Sequence, residues 1–457
     1  MMNSKDKPQM ISAFRNVFKI PELRSRIIFT ALLLIVYRFG AHITIPGIDD
    51  QALEDFFNQL TDRPGGNMIG FVDLFSGGAF SQMTIFALGI QPYISASIIM
   101  QLLAVVVPSL ERLSKEPDGR KKITQYTRYG TVILSAVQGL GISFLLRNPG
   151  NLGIQADIVM NKSWSFHFLT VITLMAGTAF VMWLGEQITE RGIGQGISLI
   201  ITVGIVAAVP GGVSSVTSRL INDPNFGLIQ LAIFLALIVV AVMGTVFITQ
   251  SVRKIPVQYG RQIKGTRMYG GQRTHLPLRV NAAGMIPIIF AVTLMQFPGT
   301  ILGFLPQDWG WALGLQGVLG NPGHPVYLII YASLIIAFTY FYTAVQINPI
   351  DMADTLKKHG AHILEKGGIR PGKRTAEHIN FVLTRITLPG ACFLAAISII
   401  PIMFEGWLQI GTMVSGASVL IVVGVVLDTV SQIESHLTDR SYEGFISGRR
   451  IKGRRSR

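Results

Sequence analysis

The sequence predicts an all-α membrane protein of ten spanning helices, arranged as two five-helix halves of opposite topology. Three observations carry this expectation. Of the 457 residues, 49% are hydrophobic and only 14% charged, with a mean hydropathy of +0.47, whereas an average soluble chain has about 25% charged residues. A scan for mostly apolar runs of about 20 residues, the length that crosses a bilayer core, returns ten. The second and seventh runs also share a local pattern, as an internal repeat would require.

In chain order the runs are 27–44, 83–107, 129–146, 165–184, 196–213, 227–249, 282–305, 326–345, 386–404 and 410–430. An even number puts both termini on one side. The termini and loops of that side hold 34 of the 39 lysines and arginines, so the positive-inside rule makes it cytoplasmic. Of the other five, Arg63, Arg147, Lys162 and Arg219 fall in outside loops, while Asp49, Asp50, Glu54, Asp55 and Asp62 make the first outside loop acidic. The polar first 26 residues, with Lys5, Lys7, Arg15, Lys19, Arg24 and Arg26, lack an apolar stretch ending in a cleavage site, so no removed secretory signal is expected. The halves are taken as 1–224 and 225–457, divided between the fifth and sixth runs.

A net charge of +14 and a pI near 10.0 suggest anionic neighbours such as lipid head groups or nucleic acid. A single cysteine, Cys392, excludes an intramolecular disulfide and any cysteine-based metal cluster. Two cytoplasmic loops exceed what turning the chain requires. The first, 250–281, has Arg253, Lys254, Arg261, Lys264, Arg267, Arg273 and Arg279 and no acid; the second, 346–385, has Lys357, Lys358, Lys366, Arg370, Lys373, Arg374 and Arg385 against four acids. Topogenic charge alone is one reading. Short loops with two or three basic residues would orient the helices equally well, so the length favours a docking surface for a large anionic or acidic partner.

Between the acidic outside loop and the second run lies 68–81, with GFVDLFSGGAF at its heart. It is apolar but too short to span, and Gly77-Gly78 breaks it from the second run. Irregular elements at membrane depth are tolerated only where protein shields them or a cavity receives them. An interfacial turn without a role and a short helix folded into a central cavity both fit.

The sequence argues against several chemistries. Gly367 to Lys373 matches seven positions of a phosphate-binding loop, but Arg374 stands next where Ser or Thr must hold the metal ion, and Pro371 removes a backbone N–H. Those residues fit a tight turn that presents Arg370, Lys373 and Arg374 at a loop tip. The spans show no paired carboxylates of the kind a pump needs, and no HExxH pair or Ser, His and Asp set. Arg38, His42 and His167 fall near helix ends, where snorkelled or satisfied side chains are the expectation. No enzymatic activity, cofactor or metal is expected.

The repeat pairs Gly89-Ile90-Gln91-Pro92-Tyr93-Ile94-Ser95-Ala96 with Gly284-Met285-Ile286-Pro287-Ile288-Ile289-Phe290-Ala291, in which Gly, Pro, Ile and Ala coincide. Proline removes an intrahelical bond and glycine admits close backbone approach, so both helices are expected to bend or separate there, with Pro92 and Pro287 at a seam. Chance similarity between apolar helices would also produce the match. Gln91, Ser95, Ser97 and Gln101 imply that part of the second run faces protein or water, and Gln101 and Asn281 are candidates for polar contacts at that seam. Ile90 and Ile94 lie one helical turn apart, as do Ile197 and Ile201; lipid-facing or packed isoleucine is the commoner reading unless they surround a pore.

The segments GIQPYISASIIMQLL (89–103), KKITQYTRYGT (121–131), MWLGEQITERGIGQGIS (182–198), THLPLRVNAAGMIP (274–287) and GGIRPGKRTAEHI (367–379) occur in one order over nearly the whole chain. Together they resemble the SecY family of protein-conducting channels in the bacterial inner membrane. The resemblance implies two halves hinged between the fifth and sixth spans around an hourglass pore, with a lateral gate formed mainly by the second and seventh. It implies a pore ring at Ile90, Ile94, Ile197, Ile201, Ile289 and Ile421, and a plug at 68–81 that includes Phe71, Asp73, Phe75, Gly77 and Gly78. It also implies docking of the ribosome and the SecA motor ATPase on the two basic loops, through Arg253, Lys254, Arg267, Arg370, Lys373 and Arg374. A basic pair of some relatives reads Thr266-Arg267 here, and the arginine-rich end 448–457 is not a general family feature. SecE and SecG are the implied partner subunits, membrane lipids the surroundings, and signal sequences and unfolded preproteins the clients.

The physics of such a role agrees with the composition. A passage for diverse unfolded chains is best narrowed by interchangeable apolar side chains, which also exclude water and ions. The rival reading is a small-solute transporter built on an inverted repeat, which would call for a coupling carboxylate in mid-membrane and has no use for two long basic loops.

Overall fold

The computed structural model describes residues 20–447 apart from 62–72, 74, 117, 148, 150–157, 161–162, 223–226, 260–261, 265–266, 270–272, 305–309, 366–367 and 409–415. Each of the ten expected spans overlaps an α-helix within its described residues, the second only from Gln91 onward. Among the described residues, seven helices are long and apolar enough to cross a membrane, or eight if one bent pair counts as a single span.

Two compact units emerge. The first comprises Met1–Phe57, Val72–Ala208 and Val425–Arg457, and the second Asn58–Phe71 and Val209–Gly424. The first unit is built on α1 (Pro21–Gly40), α2 (Asp50–Thr61), α3 (Gln91–Val106), α4 (Pro108–Lys115), α5 (Gly119–Arg147), α6 (Trp164–Arg191) and the start of α7 (Gly196–Asn222). Asp49 opens α2 by accepting the N–H groups of Gln51 and Ala52 at 3.0 and 3.4 Å, a carboxylate cap at the positive end of a helix. α5 packs on both α3 and α6, and α1 packs on α6.

The second unit contains α8 (Leu228–Gln250), β1 (Val252–Tyr259), β2 (Gln262–Lys264), β3 (Arg267–Tyr269), β4 (Arg273–Arg279), α9 (Ile286–Phe304), α10 (Gly310–Leu319), α11 (Pro325–Gln346), α12 (Pro349–Lys358), β5 (Ala361–Ile363) and α13 (Lys373–Leu408), with α14 (Gly416–Ser447) passing from it into the first. Here α13 is the hub: α8, α11 and α12 all pack on it. Several helices outrun their apolar runs; α13 begins 13 residues before the expected 386, because a helix that has left the membrane still satisfies its own backbone bonds.

The expected bend at the repeat is corrected: the paired Gly-x-x-Pro segments do not bend helices in mid-course. Residues 77–90 form successive turns, held to the chain after α1 by the Ile45 N–H on the Met83 carbonyl (3.0 Å) and the Ile85 N–H on the Ile43 carbonyl (2.9 Å). α3 begins only at Gln91, with Pro92 in its first turn; α9 begins at Ile286, with Pro287 second. Gly89 and Gly284 precede them in the left-handed region, at φ +53° and +63°. The repeated element is therefore a shared helix start, where proline forfeits no intrahelical bond. The sharp break in the second span lies at its other end, a 105° bend between α3 and α4. Val107 there is extended (φ −96°, ψ 111°), as the residue before Pro108 prefers.

The two long basic loops fold together. β1 pairs antiparallel with β4 of the same loop and with β5 of the other, in the order β4-β1-β5. One side of this sheet buries Ile255, Val257, Leu278, Ala361 and Ile363 against Leu356 of α12 and Ile379 and Leu383 of α13. Burial of roughly 1.5–3 kcal/mol per large aliphatic side chain makes the two loops one folded module.

Candidate functional site

The expected plug segment is partly described: Phe71 lies outside the described residues, while Asp73 and 75–81 lie in the first unit. The Asp73 carboxylate closes this turn on itself by accepting the N–H groups of Phe80 (3.1 Å) and Ser81 (2.8 Å) and the Ser76 hydroxyl (3.4 Å). Burial pushes its carboxyl above the ordinary value, and the N–H donors from Ser81 and Phe80 pull against that rise. Glycine is required at 77, where φ is +71°, and at 78, where it is +85°. Gly77 sits against Gly204 of α7; a Cβ there would come within 2.7 Å of the Gly204 Cα. From α1, the Tyr37 hydroxyl donates to the Ser76 carbonyl (3.3 Å) and the Arg38 guanidinium to the Gly77 carbonyl (2.8 Å). Phe80 meets Phe57 of α2 edge-on at 5.7 Å.

The isoleucines occupy both units. In the first, Ile90 is the buried residue preceding α3, and its carbonyl accepts the N–H groups of Tyr93 and Ile94; Ile94 is half-buried. Ile197 is half-buried against Gly185 of α6, and Ile201 is buried on α7. In the second, Ile289 on α9 and Ile421 on α14 are buried. Of the gate candidates, Gln101 is half-buried and donates to the Ser97 hydroxyl at 3.1 Å. Asn281 is 4% exposed; its amide nitrogen donates to the Gly284 carbonyl (3.0 Å), and its oxygen has no hydrogen-bond partner among the described residues. Pro92 and Pro287 are buried.

In the cytoplasmic module, Arg253 on β1 pairs with Glu365 at 3.3 Å, and the other Glu365 oxygen meets His378 Nε2 of α13 at 3.1 Å. Lys254 is exposed. Arg267 pairs with Lys264 in the short β2–β3 ribbon. Arg370 is exposed, and its backbone is fixed twice: Ile369 bridges to Ile363, and the Thr375 hydroxyl donates to the Arg370 carbonyl at 2.9 Å. Lys373 and Arg374 do not sit in a loop tip as the sequence suggested; they are the exposed first residues of α13. Cations at a helix N-terminus oppose the helix dipole at about 0.3–1 kcal/mol each, so helix stability does not account for them.

Sequence reasoning missed two polar arrangements and left the partners of a third unnamed. Arg38 reads as a snorkelled cation, yet it holds a backbone carbonyl. Arg128 of α5 pairs with Glu186 of α6 at 2.8 Å. His167, expected to be satisfied, is 2% exposed between Ser143 and Arg147, each at 2.9 Å. Since arginine only donates, Nε2 accepts and Nδ1 carries the proton toward Ser143. Partners 20 to 58 residues away in sequence leave no local signal.

Comparison with known proteins places these features in context. The family model described as SecY matches residues 84–430. A protein of Halalkalibacterium halodurans named protein translocase subunit SecY is 45% identical over 447 residues, covering 96% of this chain and 100% of the relative. Among solved structures, a SecY protein whose plug domain is described as stabilising the closed state of the translocation channel and maintaining a membrane seal is similar at a TM-score of 0.61. It has 18% identity, over 93% of this chain and 96% of that one. Sec61 in the canine ribosome-channel complex from the endoplasmic reticulum is similar at 0.56 and 19% identity, over 93% of this chain and 96% of that one.

Proposed function

The chain belongs to the SecY family, and from that premise we propose that it is a protein-conducting channel. It moves unfolded preproteins across the cell inner membrane and releases hydrophobic segments sideways into the lipid. The observation that carries this reading is the match to a named translocase subunit at 45% identity over 96% of this chain and 100% of the relative. It is a multi-pass membrane protein, and the bias of basic residues supports cytoplasmic termini.

The halves 1–224 and 225–457 enclose the passage. Ile90, Ile94, Ile197, Ile201, Ile289 and Ile421 narrow it with side chains that make no fixed polar bonds, so chains of any sequence pass and ions do not. The segment that includes Asp73, Phe75, Gly77 and Gly78 seals the resting state. The second and seventh spans, with Gln101 and Asn281, form the seam through which a signal sequence reaches lipid. A buried amide oxygen in Asn281 without a partner among the described residues suits a contact that is exchanged rather than permanent.

The sheet-based module receives the ribosome or SecA, which supplies the energy; SecE and SecG complete the assembly. Lys373 and Arg374 at a helix start and Arg370 on a doubly fixed backbone support a surface shaped for an anionic partner. A small-solute transporter is disfavoured by two basic loops folded into a common module. The decisive experiment reconstitutes the chain with SecE, SecG and SecA in proteoliposomes and tracks ATP-dependent import of a preprotein. Import is expected, and it stops when cysteines placed on the second and seventh spans are joined by a short crosslinker. Undiminished import through the locked seam would overturn the lateral gate, and no import by the parent would overturn the channel.

A further inference from the structure

We propose that Tyr37 and Arg38 of α1 are the latch of the resting seal, two positioning residues that hold segment 75–81 closed by its backbone. This rests on the channel reading above. An arginine on an apolar helix is expensive to place unless it has a partner. Arg38 is half-buried and donates to the Gly77 carbonyl at 2.8 Å, with no acid in the bond. Its neighbour Tyr37 is 1% exposed, stacks on Phe86 at 5.9 Å and donates to the Ser76 carbonyl at 3.3 Å.

The two carbonyls are consecutive, and the second belongs to Gly77, the residue pressed on Gly204 of α7. The segment is thus clasped at one point, by polar bonds from α1 and by backbone contact with α7. The division of labour matters. Residues 76 to 78 are Ser-Gly-Gly, with almost no side chain to grip. Left-handed glycines leave the carbonyls outside regular secondary structure, so they need donors from elsewhere. A charged donor on a neutral carbonyl makes a bond worth about a tenfold or greater shift in occupancy where water is scarce. That is enough to keep the segment seated and little enough to release. Because the acceptors are backbone groups, an entering chain can offer its own carbonyls to the same donors, so release requires no particular sequence.

The test uses the full chain with its partner subunits in lipid nanodiscs, measuring amide hydrogen exchange of the peptide 75–83, with planar-bilayer conductance in parallel. Arg38→Leu is expected to speed exchange of that peptide by about tenfold or more, the equivalent of losing one such bond. Arg38→Lys, which retains a cationic donor, is expected to restore most of the protection, and Tyr37→Phe to have a smaller effect than Arg38→Leu. Exchange in α5 and α6 should stay at the parent rate, which separates release of the latch from general unfolding. Parent-like exchange of 75–83 in the Tyr37→Phe/Arg38→Leu double variant would overturn the latch, as would equal loss of protection in α5 and α6. A variant lacking 75–81 decides the underlying reading independently: raised resting conductance supports a channel sealed by this segment, and parent-like conductance sinks that reading whatever the exchange shows.

Discussion

Gly77 and Gly204 meet backbone to backbone: a methyl group built on Gly77 would lie 2.7 Å from the Cα of Gly204. At φ +71° an L side chain also costs about 1–2 kcal/mol of backbone strain. Gly77→Ala should therefore unseat the segment and raise resting ion conductance in planar bilayers. Gly204→Ala, whose Cβ would approach the Phe75 carbonyl at 3.2 Å, should do so more mildly. Parent conductance in both variants would refute the seating.

The six isoleucines should act together. Replacing Ile90, Ile94, Ile201 and Ile289 by alanine shortens the side chains without introducing a helix-weakening glycine. The expected outcome is a higher resting ion leak with preprotein import retained. If single-channel recordings match the parent, these side chains do not line the constriction.

Proline and glycine at the paired helix starts should differ in importance. Pro92→Ala removes a residue from a first turn that needs no N–H, so a loss below about 1 kcal/mol is expected in denaturation of the purified protein. Gly89→Ala places a side chain at φ +53° and should cost more, about 1–2 kcal/mol. The reverse ranking would mean that the proline governs a bend after all.

The two basic loops should unfold as one. Ile363 is fully buried between β1 and α13, so Ile363→Ala should destabilise the module by about 2–5 kcal/mol. Limited proteolysis should then cut at both loops rather than one. Glu365→Gln should have a much smaller effect, since Arg253 is 58% exposed and water screens that pair, while the glutamine amide can still hydrogen-bond His378. Cleavage confined to the second loop in Ile363→Ala would contradict a shared core.

Arg370 should matter for its planar guanidinium and not only for its charge. With channel levels matched, Arg370→Lys is expected to reduce SecA-driven import and Arg370→Glu to reduce it by about tenfold or more, the effect of losing one charge-assisted bond, while membrane insertion of the chain is unchanged. Import by Arg370→Glu at the parent rate would remove this residue from the docking surface.

Chain composition and periodicity located the ten spanning runs, while the short helices α2, α4, α10 and α12 lay outside them. A segment of some 20 apolar residues in lipid has to satisfy its backbone internally, so each such run carries a helix, although in the second run 83–90 form turns before α3 begins. The distribution of lysine and arginine determined the expected topology in the same local way, since it depends on counts per loop. The repeat at Gly89 and Gly284 was legible as a pattern but not as a structure: glycine and proline mark a departure from the helix, and only the turns that precede Gln91 and Ile286 show that they open it. The strands of the basic loops escaped notice because β1 pairs with a strand about 100 residues away, and its alternation is interrupted by Pro256. Arg38 offered no sequence signal for its role, because its acceptor is a backbone carbonyl and every residue carries one. Tertiary structure alone decided these contacts, since a hydrogen bond to a backbone group is specified by where two distant segments pack and not by which residues they contain.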